Sequence, residues 1–354
     1  MRTVSYFSPY KQSENTVTNA VLLLLSHIHR IAPDVFEAFL KDIAGQDISV
    51  GPIFANQDSK PGGKSIVDAV IRQTPIEINI ETKITHGDSL DTDQLRRHAE
   101  GMKAEAKSDR RILLGLTPSP LSSELKDEAA AICKKLDVTF ISRTFEEIVS
   151  YFENAVPEFH EDLNTILGDF RVYLSNNGQL PPSQNRMLIN PCGNSLDSNR
   201  QSGIYHDQPY RSKVMSKYLG CYDNKAVRLI GEVFAVIIAE VEDDKLVIHE
   251  QVELPWQAQK HDINSGDKQR IMNLIQNSPY SDLGDKPSRY YLTYGFEETK
   301  YEKTSPGGIQ GHRYFALDGE GSVLETLFGK SSNQPNLSDI ASALKKRHGH
   351  DLFN

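Results

Sequence analysis

Two apolar runs in the first third of the chain set its pattern: Ser65–Ile71 and Ile76–Ile84, separated by Arg72-Gln73-Thr74-Pro75. Runs of this length and spacing predict two antiparallel strands joined by a turn. In the second run Ile76, Ile78 and Ile80 alternate with Glu77, Asn79, Glu81 and Lys83. The isoleucines therefore take one face and the polar residues the other. The apolar face must be core. On the polar face Glu81 and Lys83 point the same way, and Asp68 interrupts the neighbouring run where it can reach them.

The flanking pattern supplies the rest of a layered fold. Val17, Ala20, Val21, Leu24, Ile28 and Ile31 follow helical spacing over Ser13–Ile31, with Ser13 as N-cap. Pro33 breaks that helix, and Val35, Phe36, Phe39, Leu40 and Ile43 predict a second over Asp34–Ala44. Val50–Ala55 predicts an edge strand, followed by a turn-rich stretch from Asn56 to Gly63. Beyond the hairpin, Thr85–Leu90 is a polar loop with His86 and Asp88, and a helix is expected over Asp91–Ala106. The uniformly apolar Ile112–Leu116 suits a central strand covered on both faces. A helix over Leu121–Leu136, a strand over Val138–Ile141, a helix from Thr144 and another over Phe159–Leu174 close this half. The order predicts an α/β sandwich with a mixed sheet.

Composition narrows the class. At 354 residues the chain exceeds a single ordinary core, so two domains are expected, 1–175 and 176–354. An apolar share of 38% and a charged share of 25% suit a globular protein. The longest aliphatic run, Val21–Leu25, is too short to span a bilayer. No basic region leads into an apolar segment with a small-residue cleavage site, so no secretory signal is expected. Cys133, Cys192 and Cys221 form no CxxC pair, which argues against disulfide or zinc frameworks and for a reducing cytoplasm. The net charge of -9 argues against a generally basic nucleic-acid coat, though a local basic patch suffices for phosphate contacts.

The candidate chemistry lies around the hairpin. Two acids and a lysine converging at a strand end can hold a divalent cation against a phosphodiester. Gln94 and His98, four apart, share a helix face. Each residue also has an ordinary reading. Glu14 favours the dipole at a helix start, Gln94 completes a capping box with Asp91, and His98 is an exposed or partly packed histidine. Arg96 and Arg97 read as phosphate contacts or as a solvated face. Glu81 and Lys83 alone would be a surface ion pair worth under ~1 kcal/mol.

The succession of Glu14 on an early helix, Asp68, Glu81-Thr82-Lys83, a helix bearing Gln94 and the strand ending Gly115-Leu116-Thr117-Pro118 resembles the PD-(D/E)XK nuclease superfamily. The resemblance covers the first half of the chain. Val67 stands where that family commonly has proline, which leaves the acid in place. The resemblance implies a restriction-endonuclease-like sandwich with catalytic Asp68, Glu81, Lys83 and Gln94. It also implies Mg²⁺ or Mn²⁺ held by Asp68, Glu81 and Glu14. Lys83 would orient the attacking water or offset developing charge, and Gln94 would position phosphate or water.

The second half predicts a strand-rich, barrel-like α+β domain. Pro181-Pro182-Ser183 reads as a linker after the Asn176-Asn177-Gly178 turn. Val227–Val241 and Leu246–Val252, joined by Glu242-Asp243-Asp244, predict a long hairpin. Lys213–Tyr222, Ser288–Phe296 and Arg313–Leu317 add strands, and helices are expected over Ser265–Gln276 and Leu337–Lys346. The loop Gly307-Gly308-Ile309-Gln310-Gly311 lacks the residues of a phosphate-binding fingerprint. Arg289, Tyr290, Tyr291, Tyr294 and Arg313 read either as an aromatic-basic surface for bases or as ordinary strand core.

Together these readings predict a cytoplasmic, metal-dependent nuclease acting on DNA, able to homodimerise, with a C-terminal recognition or regulatory domain. A role in bacterial defence or restriction is suggested by that architecture. The alternatives are a silent nuclease fold that only binds nucleic acid, and a sensor whose C-terminal half binds a ligand or protein and controls the other.

Overall fold

The computed structural model describes residues 14–44, 53–59, 66–73, 76–87, 90–105, 110–157, 159–304, 308–309, 311–317, 327, 335–345 and 348–349. Ser13, Thr74, Pro75, Asp88, Gly307 and Gln310, which carried sequence expectations, lie outside these residues. The chain divides into two compact units, Met1–Pro181 and Pro182–Asn354. This boundary falls later than the 175/176 read from sequence, because Leu180 is buried in the core of the first unit. Gln179 also donates to the Ile84 carbonyl there.

The first unit is an α/β fold around a five-stranded mixed sheet of order β1-β2-β3-β4-β5. Its strands are β1 (Ile53–Ser59), β2 (Ile66–Gln73), β3 (Ile76–Thr82), β4 (Arg110–Thr117) and β5 (Thr139–Thr144). The first three pair antiparallel, and β3, β4 and β5 are parallel. β1 begins later than expected and absorbs Asn56–Ser59, which had read as turn.

Ile76, Ile78 and Ile80 share a core with Ile112, Leu114 and Leu116. Over that face pack α1 (Glu14–Ile31), α2 (Pro33–Ala44), α5 (Phe145–Ala155) and α6 (Glu161–Asn176). A smaller core on the other face joins Leu113 to Leu95, Ala99 and Met102 of α3 (Thr92–Glu105) and to Ala129 and Cys133 of α4 (Ser123–Lys135). Start signals are explicit. Ser122 accepts from Leu125 N at α4, Asp91 accepts from Asp93 N at α3, and Thr144 and Glu147 form a capping box at α5. Buried Arg171 of α6 is clamped by Glu146 and Glu153 of α5.

The polar side of β3 is therefore no solvated face. All seven residues of β3 are buried. Alternation along a strand is the same whether its polar side meets water or a covering helix, and here the cover is α3.

The second unit is built on an eight-stranded sheet in the order β12-β6-β8-β9-β11-β13, with β10 paired to β9 and β7 to β11. Among the described residues this path is open rather than closed into a barrel. The strands are β6 (Arg186–Pro191), β7 (Ile204–Asp207), β8 (Tyr218–Asp223), β9 (Ala226–Glu242), β10 (Lys245–Gln251), β11 (Ser288–Lys303), β12 (Arg313–Ala316) and β13 (His348–Gly349). The expected β9–β10 hairpin forms, its turn residues Asp243 and Asp244 both at positive φ. The helices α7 (Leu196–Ser202), α8 (Ser265–Asn277) and α9 (Leu337–Lys345) complete the unit. Ile271 and Leu274 of α8 pack on one half of the long strands, and Ile340 and Leu344 of α9 on the other.

The aromatic-basic surface does not form. Tyr290 and Tyr291 are wholly buried, and Arg289 spends its guanidinium on the Pro209 and Arg211 carbonyls. Tyr294 is exposed, with its ring against Phe234. These residues are strand core and a clamp on an irregular segment, the ordinary reading of the pattern.

Candidate active site

The site is assembled at the carboxyl ends of the parallel strands β3 and β4, beneath the first turns of α3. In open α/β sheets such strand ends are the usual location of ligand sites. Glu81 is the penultimate residue of β3, and only 1% of its side chain is exposed. Lys83 follows on the same face, its Nζ 2.8 Å from Glu81 Oε1. That contact is an ion pair. From the helix above, His98 Nε2 meets Glu81 Oε2 at 3.0 Å, with 2% of the histidine side chain exposed.

The carboxylate is thus gripped from two sides. Burial pushes the Glu81 carboxyl up, but the contacts with His98 and Lys83 outweigh it and hold the group below its ordinary range. An ionised carboxylate only accepts hydrogen bonds, so His98 carries its proton on Nε2.

Asp68 is placed by register. Ala69 lies opposite Ile80 in the antiparallel β2–β3 pair, and the same register carried one step further sets Asp68 opposite Glu81. Directly opposed residues of an antiparallel pair stand on one face. The backbone therefore assigns Asp68 and Glu81 to the same face, while the Asp68 side chain lies outside the described residues.

Gln94 is half-buried on α3, one turn before His98 and on the same side of the helix. The Asp91 cap forms through its contact with Asp93 N. Glu14 begins α1, whose body packs on the opposite face of the sheet, and its side chain too lies outside the described residues. Arg96 is exposed and paired with Asp93 at 2.8 Å, and Arg97 is exposed, so both stand on the outer surface of α3.

Close packing shapes the surroundings. Gly115 of β4 lies opposite Glu81, and a Cβ there would meet Leu90 Cδ1 at 2.8 Å. The segment after β3 is tied down by His86 Nε2 against the Gly178 carbonyl at 2.8 Å and by Gly87 N donating to Ser119 Oγ. Two residues before Glu81 on its face, both amide atoms of Asn79 are buried with no hydrogen-bond partner among the described residues. Such an orphaned group costs about 1–3 kcal/mol, so this face keeps unspent oxygen acceptor capacity.

These observations test the fit of a hard divalent cation. An ionised buried carboxylate, an acid opposite it in register and an unspent amide oxygen are the oxygen donors such ions take. The Lys83 ammonium stands 2.8 Å from Oε1, so this oxygen faces positive charge. The donor set fits.

His98 is buried and bonded to Glu81 rather than exposed or partly packed. The four-residue spacing from Gln94 is its signal in the sequence. Elsewhere, Glu240, Glu242 and His249 on the β9–β10 hairpin bring one ligand atom each within 4.8 Å of one another, on a largely exposed surface.

No protein-family model matches the chain, and no curated protein does. Among solved structures it is similar to the small subunit of the heterodimeric restriction endonuclease R.BspD6I, at 16% identity over 45% of this chain and 98% of that one, with a TM-score of 0.23. A TM-score this low shows neither a shared fold nor a shared activity. Among the described residues no helix is long and apolar enough to cross a membrane.

Proposed function

We propose that the first unit is a divalent-cation-dependent nuclease of the PD-(D/E)XK kind that hydrolyses phosphodiester bonds of DNA. The observation that carries this reading is the buried Glu81 carboxylate, kept ionised between Lys83 and His98 on the face to which the register assigns Asp68. A plain surface ion pair would be solvated and would not be clamped by a buried histidine.

In this reading Asp68 and Glu81 would hold Mg²⁺ or Mn²⁺. When bound, the cation lowers the pKa of a water and offsets negative charge at phosphorus. The chain's own groups do the rest. Lys83 turns from Glu81 to orient the attacking water and to stabilise charge on the phosphoryl oxygens. Gln94, one turn nearer the strand ends than His98, positions the phosphate. Burial of Glu81 under α3 keeps competing water from its carboxylate. Attack by water forms one P–O bond as another breaks, and the leaving oxygen takes up a proton.

The test is cleavage of single- and double-stranded DNA and RNA by the full chain with Mg²⁺, Mn²⁺ or EDTA. Wild type is compared with Asp68→Ala, Glu81→Gln and Lys83→Ala. Cleavage that needs the cation and is lost in all three variants, with nucleic-acid binding retained, supports the nuclease. Binding without cleavage under any cation overturns it in favour of a binding module. Cleavage that survives Glu81→Gln overturns the site assignment.

A further inference from the structure

We propose that His98 is a positioning residue for the Glu81 carboxylate, and that its hydrogen bond sets how tightly the first unit binds a divalent cation. The inference rests on the proposed function and adds to it a residue outside the Asp68, Glu81, Lys83 and Gln94 set.

The geometry separates positioning from simple packing. Helix α3 is already anchored to the sheet by Leu95, Ala99 and Met102, each nearly inaccessible, so it needs no polar tether to dock. His98 instead spends Nε2 on one oxygen of one carboxylate, at 3.0 Å. The contact joins the carboxyl end of β3 to the second turn of α3, and only Oε2 is held by it. Oε1 is left facing Lys83. A carboxylate pinned through one oxygen cannot rotate, so the other keeps a fixed direction towards the proposed cation. The same bond compensates the buried negative charge from a side that does not compete for Oε1.

Partners of this kind behind a ligand carboxylate typically contribute about 10–100-fold in metal affinity. Without one, the carboxylate must be ordered and desolvated at the moment of binding. His98 touches neither cation nor substrate in this scheme and acts through Glu81.

The discriminating variants are His98→Gln and His98→Asn. The glutamine amide nitrogen reaches as far from the backbone as Nε2 and can restore the bond to Oε2. The asparagine amide reaches only as far as Nδ1 and cannot. Both remove the ring, and asparagine is one methylene shorter than glutamine, so the stability of each variant is measured beside its affinity. Mn²⁺ affinity of the full chain is measured by titration calorimetry, and folding is checked by circular dichroism. Positioning predicts that His98→Asn weakens Mn²⁺ binding by about 10–100-fold, while His98→Gln stays close to wild type at similar thermal stability. In cleavage assays the half-saturating Mn²⁺ concentration rises for His98→Asn, with the KM for DNA unchanged.

If the two variants bind Mn²⁺ alike, whether both tightly or both weakly, the positioning role is overturned while the nuclease reading stands. If wild type neither binds Mn²⁺ nor cuts DNA, the proposed function falls and takes this inference with it.

Discussion

Gly115 lies directly across the parallel β3–β4 pair from Glu81, and a methyl group on it would stand 2.8 Å from Leu90 Cδ1. Leu90 is buried immediately before α3, the helix that carries Gln94 and His98. The bare backbone at Gly115 is therefore what lets the chain close tightly over the buried carboxylate.

Gly115→Ala forces the end of Leu90 aside and is expected to cost about 1–3 kcal/mol, the usual range for overpacking. Gly101, within α3, is the control: a Cβ there meets nothing within 4 Å. Gly101→Ala should instead stabilise the helix by about 0.5–1 kcal/mol. Urea unfolding of the two variants beside wild type checks both signs. Equal effects would remove the steric argument.

Much of the first unit is legible from its pattern of side chains. The isoleucine alternation in β3 and the apolar run of β4 place both strands, and the helix expected from Thr144 forms over Phe145–Ala155. What the pattern cannot reveal is whether Glu77, Asn79 and Glu81 face water, because a covering helix leaves the alternation unchanged. His98 follows from the same ambiguity, since its helix bears Arg96, Arg97 and Glu100 on the outside and reads as solvated. In the second unit, β6 ends at Pro191 and β7 has four residues, two of them polar, so neither has a run long enough to stand out. The end of β11, from Glu297 to Lys303, is mostly charged, yet Thr299 and Tyr301 alternate into the core. Partners distant in sequence supply that burial, and local spacing carries no trace of them.

Burial pushes the Cys133 thiol of α4 from its ordinary 9.0 up to about 11. The unfolded thiol ionises above pH 9.0 while the folded one stays protonated. Its contribution to stability is therefore complete below 9.0 and is lost as the pH rises from there to about 11. Cys133→Ala should flatten that part of the alkaline limb, over and above a pH-independent loss from the small cavity. Urea midpoints of both proteins between pH 8 and 11 give the comparison. All three cysteines are buried, so a thiol reagent at pH 8 should label the native protein slowly and the denatured protein at once.

In the second unit, Gly231 of β9 sits opposite Phe296 of β11, where the pairing is irregular. A Cβ there would meet the Phe296 ring and Thr293 Cγ2, both at 2.8 Å. Gly231→Ala is expected to destabilise by about 1–3 kcal/mol. Gly295, at φ +131, has open space around it but a backbone that L residues rarely adopt. Gly295→Ala should therefore also destabilise, by about 1–3 kcal/mol, for a reason of backbone strain alone. Replacing Phe296 by leucine relieves the ring's share of the Gly231→Ala defect, leaves the Thr293 Cγ2 contact in place, and leaves Gly295→Ala unchanged. Thermal unfolding of the single and double variants distinguishes the two causes, and relief of both defects would contradict the assignment.

Arg171 is heavily committed. Its Nε and Nη2 donate to Glu153 at 2.7 and 2.9 Å, Nη1 to Glu146 at 2.9 Å, and Nη2 also to Ser150 Oγ at 3.1 Å. Burial opposes the charge, yet the two carboxylates hold the guanidinium above even its ordinary value. Removing one partner of a buried pair leaves the others uncompensated, so Arg171→Ala is expected to cost about 3–5 kcal/mol. Arg171→Lys cannot reproduce the planar fork and should recover little. Replacing the group together is a different matter, because an apolar set of similar volume avoids desolvating any charge. Arg171→Met combined with Glu153→Leu and Glu146→Gln should therefore be markedly more stable than Arg171→Ala alone. Urea unfolding followed by circular dichroism decides it, and a triple variant no better than Arg171→Ala would mean that the network contributes more than compensation of its own charges.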